Sequence, residues 1–114
     1  MPALALPALK QGDTWVLNFV ARQTAGGAPL DLTGCSAALQ LRHPLTAALV
    51  AEPDSLVIAP LTGTVTVSFL PATTAMVPVG TYFTDLELIF ATGEVRSSQS
   101  MTVPVIADYT RTGP

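Results

Sequence analysis

The feature that most constrains this chain is the strict alternation of apolar and polar residues. In Trp15-Val16-Leu17-Asn18-Phe19-Val20-Ala21, Trp15, Leu17, Phe19 and Ala21 share one face, while Thr14, Val16, Asn18, Val20 and Arg22 share the other. A period of two is the spacing of a strand with one dry and one wet face, and helical spacing hardly occurs anywhere in the chain. The pattern returns at Cys35, Ala37, Leu39 and Leu41 against Ser36, Ala38, Gln40 and Arg42, and at Val65, Val67 and Phe69 against Thr64, Thr66 and Ser68. The longest run, residues 81–90, sets Tyr82, Leu86, Leu88 and Phe90 opposite Phe83, Asp85, Glu87 and Ile89. Ala91-Thr92-Gly93-Glu94 is a hairpin turn leading into a return strand over 95–106. There Met101, Val103 and Val105 keep step, and Pro104 points to a sheet edge or a bulge because proline donates no ladder hydrogen bond.

Other segments are weaker. Residues 47–51 fit a short strand or a helical turn, and 56–59 fit a short strand. Ala72-Thr73-Thr74-Ala75-Met76 is the one helix candidate, and a single turn of that length needs tertiary support. Gly/Pro/Asp-rich punctuation separates these runs, including the loop tip Thr24-Ala25-Gly26-Gly27-Ala28-Pro29 and the turn Glu52-Pro53-Asp54-Ser55. Seven to eight short strands at intervals of roughly 8 to 12 residues read as an all-β, antiparallel two-sheet sandwich with one short helical turn. A small closed barrel is the alternative.

At 114 residues the chain has room for one core and one domain. The expected division is an apolar N-terminal arm over 1–9, a sandwich over 10–106 and an extended C-terminal arm over 107–114. Only 11% of residues are charged. That is less than half the usual share of about 25%, which suggests a surface partly covered by protein partners. With a net charge of -3 and its few basic residues scattered, the chain offers no phosphate-binding patch, so nucleic acid is not an expected partner. The apolar start is interrupted by Pro7 and carries its lysine after it, unlike a signal core. No run reaches the roughly 18 to 20 apolar residues of a membrane span. The single cysteine, Cys35, has no internal disulfide partner.

Residues able to carry chemistry are few. Nucleophilic catalysis needs a base, and the lone His43 precedes Pro44 at a strand end, where a polar loop residue is expected in any case. Cys35 falls on an inward face and reads as core. One Cys and one His do not make a zinc site. Asp85 and Glu87 share a strand face two residues apart, but without a third ligand nearby they read as a solvated pair. No cofactor is expected. Asp13 and Asp31 each precede a strand within a glycine-containing turn, where an aspartate accepts backbone N–H groups, so both are assigned to fixing turns.

Gln11-Gly12-Asp13-Thr14, Asp31-Leu32-Thr33-Gly34 and Gly80-Thr81-Tyr82-Phe83-Thr84-Asp85-Leu86-Glu87-Leu88, in this order and spacing, resemble a family of small tailed-bacteriophage proteins. The likeness is to the N-terminal immunoglobulin-like domain of upper baseplate proteins, which anchors receptor-binding or fibre components, and it spans roughly residues 10–111. It implies an immunoglobulin-like sandwich acting as a non-enzymatic virion component, a tail-tip, baseplate or fibre-attachment adaptor, assembled in the host cytoplasm as part of a symmetric oligomer. Gly12, Asp13, Asp31, Gly34, Gly80, Tyr82 and Asp85 are then the fold-determining positions. No shaft or receptor-binding domain follows the sandwich in this sequence, which favours an adaptor or a coat over direct receptor recognition. Attachment is expected through open sheet edges and the terminal arms, with Leu4, Leu6, Leu9, Tyr109 and Arg111 as candidate partner contacts. Burying the three leucines would contribute about 4 to 9 kcal/mol before ordering costs. A capsid decoration or neck protein is the neighbouring alternative. A carbohydrate-binding module is a more distant one, since most aromatic residues fall on core faces.

Overall fold

A computed structural model describes residues 4–24 and 26–108. Its strand segments follow the alternation closely. In β3 (Trp15–Val20) and β8 (Thr64–Phe69), the odd-numbered residues point inward, and Val65, Val67 and Phe69 are fully buried. The two strands pair antiparallel from Trp15 opposite Phe69 to Val20 opposite Thr64, and β7 (Ser55–Ala59) flanks β8 on its other side, completing a three-stranded sheet. The Trp15 and Phe69 rings meet with centroids 5.5 Å apart.

Three strands of the facing layer each pause once. β4 (Ser36–Leu39) and β5 (Leu41–Arg42) are separated by Gln40, and β9 (Gly80–Thr84) and β10 (Leu86–Ile89) by Asp85. The return strand also splits, into β11 (Val95–Ser97) and β12 (Met101–Ile106). Residues 47–51 resolve as β6 (Leu49–Ala51), an edge strand on β5. Tyr82, Thr84, Leu86, Leu88, Met101, Val103 and Val105 bury their side chains between the layers.

The topology is that of an immunoglobulin-like sandwich: β3-β8-β7 lies on one side, and β6, β5/β4, β9/β10 and β12/β11 lie on the other. A tyrosine corner supports the assignment. The Tyr82 hydroxyl, early in β9, donates to the Pro78 carbonyl at 2.8 Å, returning the chain onto its own upstream segment.

Three expectations are corrected. The N-terminal arm is a strand of the domain: β1 (Leu4–Ala5) and β2 (Leu9–Lys10) pair parallel with β12, so the sandwich is not wholly antiparallel. Pro104 consequently lies in a strand flanked on both sides, which corrects the sheet-edge reading, while the bulge reading holds: from Ala5 opposite Thr102 to Leu9 opposite Val105 the N-terminal strand uses one residue more than β12. The Leu4 and Leu6 amides donate to the Ser100 and Thr102 carbonyls at 3.3 and 2.9 Å. The next rung would require the amide of residue 104, which a proline lacks, and pairing resumes at Leu9 opposite Val105. The proline and the gap at Pro7 thus fall at one rung.

The third correction concerns the helical turns. The α-helical turn is α1 (Pro71–Thr74), starting one residue before the expected segment and ending two residues sooner, and a 3-10 turn at Pro60–Thr62 adds a second one that alternation does not signal. α1 has no cap on its own N-cap residue Leu70. Asp54 supplies it from the β6–β7 turn, its carboxylate accepting the Leu70 amide at 2.7 Å and the Thr73 hydroxyl at 2.9 Å. One of the orphan donors of a helix start is thereby satisfied from a distant segment.

Candidate functional site

Three surfaces stand out among the described residues. The first lies on the outer face of the larger layer, where the pauses at Gln40 and Asp85 fall beside each other. Leu39 pairs with Leu86 and Arg42 with Phe83, so Gln40 and Asp85 face across a rung where the ladder lapses. Buried Thr84 bridges that gap by donating its hydroxyl to the Gln40 carbonyl at 2.7 Å. On the other side of β10, Ser98 takes over the ladder, its amide donating to the Leu86 carbonyl at 2.8 Å and its hydroxyl accepting the Leu86 amide at 2.9 Å.

The lapse opens a groove of about 320 Å³, lined by Gln40, Arg42, Phe83, Asp85, Glu87 and Ser100 among others. Arg42 is held from two sides, donating to the Gln40 side-chain oxygen and to the Ala47 carbonyl at 3.0 Å, and the Gln40 amide reaches Glu52 at 3.4 Å. Phe83 exposes 41% of its surface.

The second surface is an apolar cleft of about 260 Å³ where the free edges of β3 and β11 approach, lined by Phe19, Leu30, Leu86 and Phe90. Arg96 lies over the Phe90 ring at 5.4 Å and donates to Glu94 at 2.9 Å. A surface ion pair of this kind is worth little by itself.

The third is the outer face of the three-stranded sheet. Its rungs read Val16-Ser68-Ser55, Asn18-Thr66-Val57 and Val20-Thr64-Ala59, without a charged residue among them. Val16, Val20 and Val57 are 45 to 59% exposed, and Asn18 is fixed by a 2.7 Å bond from the Thr66 hydroxyl.

The positions singled out in the sequence scatter across the molecule. Leu9 is fully buried in the core and so is not available to a partner, because the parallel pairing on β12 turns it inward, while Leu6 packs against the core and is partly buried. Leu4 remains half-exposed, and Tyr109 and Arg111 lie outside the described residues. Gly12 and Gly34 adopt positive φ at their turns, and Gly80 opens β9.

Asp31 accepts both the Thr33 hydroxyl at 2.6 Å and the Thr33 amide at 2.9 Å. These bonds, the hydroxyl first, hold its carboxyl below the usual range because they favour the charged form. Asp54 is lowered in the same way by the Leu70 amide and then the Thr73 hydroxyl. Asp13 acts through its main chain instead, its amide donating to the Lys10 carbonyl and its carbonyl accepting the Thr74 hydroxyl. His43 accepts the Leu45 amide at 3.2 Å in the β5–β6 turn and packs edge-on to Tyr82, and Cys35 is a half-buried free thiol beside the core.

The groove and the uncharged face escaped sequence reasoning because each depends on which strands are neighbours. The one available signal was the outward placement of Phe83 between polar residues. Among the described residues, no group of three or more His, Cys, Asp or Glu side chains is placed to hold a metal ion, and no helix is long and apolar enough to cross a membrane.

No protein-family model matches the chain, and no curated protein matches it. Among solved structures, the crystal structure of CopC from Methylosinus trichosporium OB3b is similar over 95% of this chain and 89% of that one, with a TM-score of 0.46 and 13% sequence identity.

Proposed function

We propose that this protein is a non-enzymatic structural component of a tailed-bacteriophage particle, an adaptor at the tail tip, baseplate or fibre attachment point. The observation that carries the assembly role is the uncharged outer face of β3-β8-β7. A chain of net charge -3 that packs against copies of itself needs a contact surface without like charges, and nine outward residues on three adjacent strands supply one. The particle assignment is supported by the three motifs and their spacing, and the low overall charge agrees with a surface largely covered in place.

The docking route differs from the one the sequence suggested. Leu9 is buried within the chain's own sheet and Leu6 packs partly against its core, so the role of the N-terminal arm passes to the uncharged face and to the free edges of β3 and β11. Half-exposed valines contribute about 1 kcal/mol each when covered, or about 6 kcal/mol for two apposed faces. Association also costs translational and rotational freedom, so a single pair is weak, with a Kd on the order of 1 mM, and repetition by symmetry is what makes the assembly stable.

Antibody labelling of intact particles tests the assignment. Signal confined to the tail end supports it; signal on the capsid or neck transfers the protein to a decoration or neck role, and absence from particles overturns the reading.

A further inference from the structure

The groove at the Gln40/Asp85 lapse has a use that assembly does not require. The geometry points to a neutral saccharide as its ligand, with Phe83 as the platform for a sugar ring and Gln40, Asp85, Glu87 and Ser100 as hydroxyl partners. Its volume of about 320 Å³ suits a short ligand. Ligand pockets in general start near this size.

Three features select the ligand class. First, the lining mixes donors and acceptors: Gln40 keeps one amide hydrogen and one lone pair beyond its bonds to Glu52 and Arg42, Ser100 adds a hydroxyl, and Asp85 and Glu87 add carboxylates. Sugar hydroxyls donate and accept at once, so they can use the whole set. Second, Phe83 is an aromatic side chain exposed on the outer face of a strand, where its ring can cover the apolar C–H face of a pyranose. Third, charge selects against the other candidates. Arg42 is the register partner of Phe83, so a lysine or arginine placed over the ring would meet a like charge. Asp85 and Glu87 along the same strand repel a carboxylate or phosphate. The lining thus carries both signs, so a charged ligand of either kind meets repulsion from part of it and a neutral polyol meets none.

Both walls of the groove are defined by the strands and by side-chain hydrogen bonds. Phe83, Asp85 and Glu87 line up along β9/β10 at every second residue, and the run from Glu52 through Gln40 and Arg42 to the Ala47 carbonyl fixes the opposite wall. The groove and the uncharged face lie on opposite outer faces of the sandwich, so the inference stands apart from the assembly reading.

The test is titration of the isotope-labelled full chain with maltotriose, cellotriose and N-acetylated chitotriose, followed by amide resonances. At least one should shift Phe83, Asp85 and Glu87 saturably, with a Kd on the order of 1 mM. Phe83→Ala should weaken binding about tenfold or more, and Glu87→Gln, at a surface carboxylate, should weaken it with the remaining spectrum unchanged. Val57→Lys should bind as the parent chain does, which separates this result from the fate of the assembly reading. No shift with any of the three at about 20 mM overturns the inference. Equal binding by both groove variants overturns it too, as does a response confined to a lysine-rich peptide or an acidic saccharide.

Discussion

Thr74 and Gly12, 62 residues apart, are joined by a 3.0 Å hydrogen bond from the Gly12 amide to the Thr74 hydroxyl, and that hydroxyl donates to the Asp13 carbonyl at 2.8 Å. Thr74 is completely buried, so the turn at 11–14 is held by a polar side chain in the floor of α1, and Gln11 adds a 2.8 Å bond to the Val77 carbonyl. Thr74→Val keeps the shape and removes both of these bonds together with the hydroxyl's 3.2 Å contact to the Pro71 carbonyl. It should lower the unfolding free energy by about 1 to 3 kcal/mol in urea titrations, whereas Thr74→Ser should recover most of the loss.

Gly63 ends the 3-10 turn at φ +63°, and a Cβ there would sit 2.7 Å from the carbonyl oxygens of both Ala21 and Leu30. These are main-chain atoms fixed by neighbouring bonds, including the Ala21 amide to the Gly63 carbonyl at 2.8 Å, so neither can move aside cheaply. Gly63→Ala should cost about 2 kcal/mol or more, read from the same denaturant midpoint.

Ala47 has the opposite problem. It occupies the left-handed region at φ 59° in the β5–β6 turn. An alanine adopts that conformation only at a cost. Ala47→Gly should raise stability by about 0.5 to 1 kcal/mol. The Arg42 bond it receives comes to its main-chain carbonyl and survives the change.

Asp31 and Asp54 give the molecule an acid limit. Each carboxyl titrates below its ordinary value of 3.8 because it accepts hydrogen bonds as an anion. A depressed folded-state value means stability that is present above the unfolded value and lost as pH falls through the folded one. Thermal midpoints should therefore hold from neutrality to about pH 5 and fall below about pH 4. In Asp54→Ala the neutral-pH midpoint should be lower and the acid decline shallower. An unchanged acid profile would exclude Asp54 as the tertiary cap of α1.

How much of this was legible depended on range. The rungs of β8 could be read directly, because Thr64, Thr66 and Ser68 alternate with Val65, Val67 and Phe69, and period two suffices to set their faces. The turn at Asp31 was equally local, needing only Thr33 two residues on. Leu9 was misassigned because burial came from a parallel pairing with Val105 at the far end of the chain, and Pro7 looked like a break rather than the complement of Pro104. The groove required knowing that Gln40 and Asp85 face one another, and the Asp13 turn required Thr74, so neither pattern exists within any short window of sequence. The uncharged face was present strand by strand, yet only the order β3-β8-β7 assembles it.

Sedimentation equilibrium of the purified chain up to about 1 mM, beside Val57→Lys, tests the uncharged-face account most directly. The parent chain should rise above its 11.8 kDa monomer mass as concentration increases, and the lysine variant should stay at it. A parent chain that remains monomeric throughout, or a variant that associates equally well, would contradict the assignment of this face to assembly.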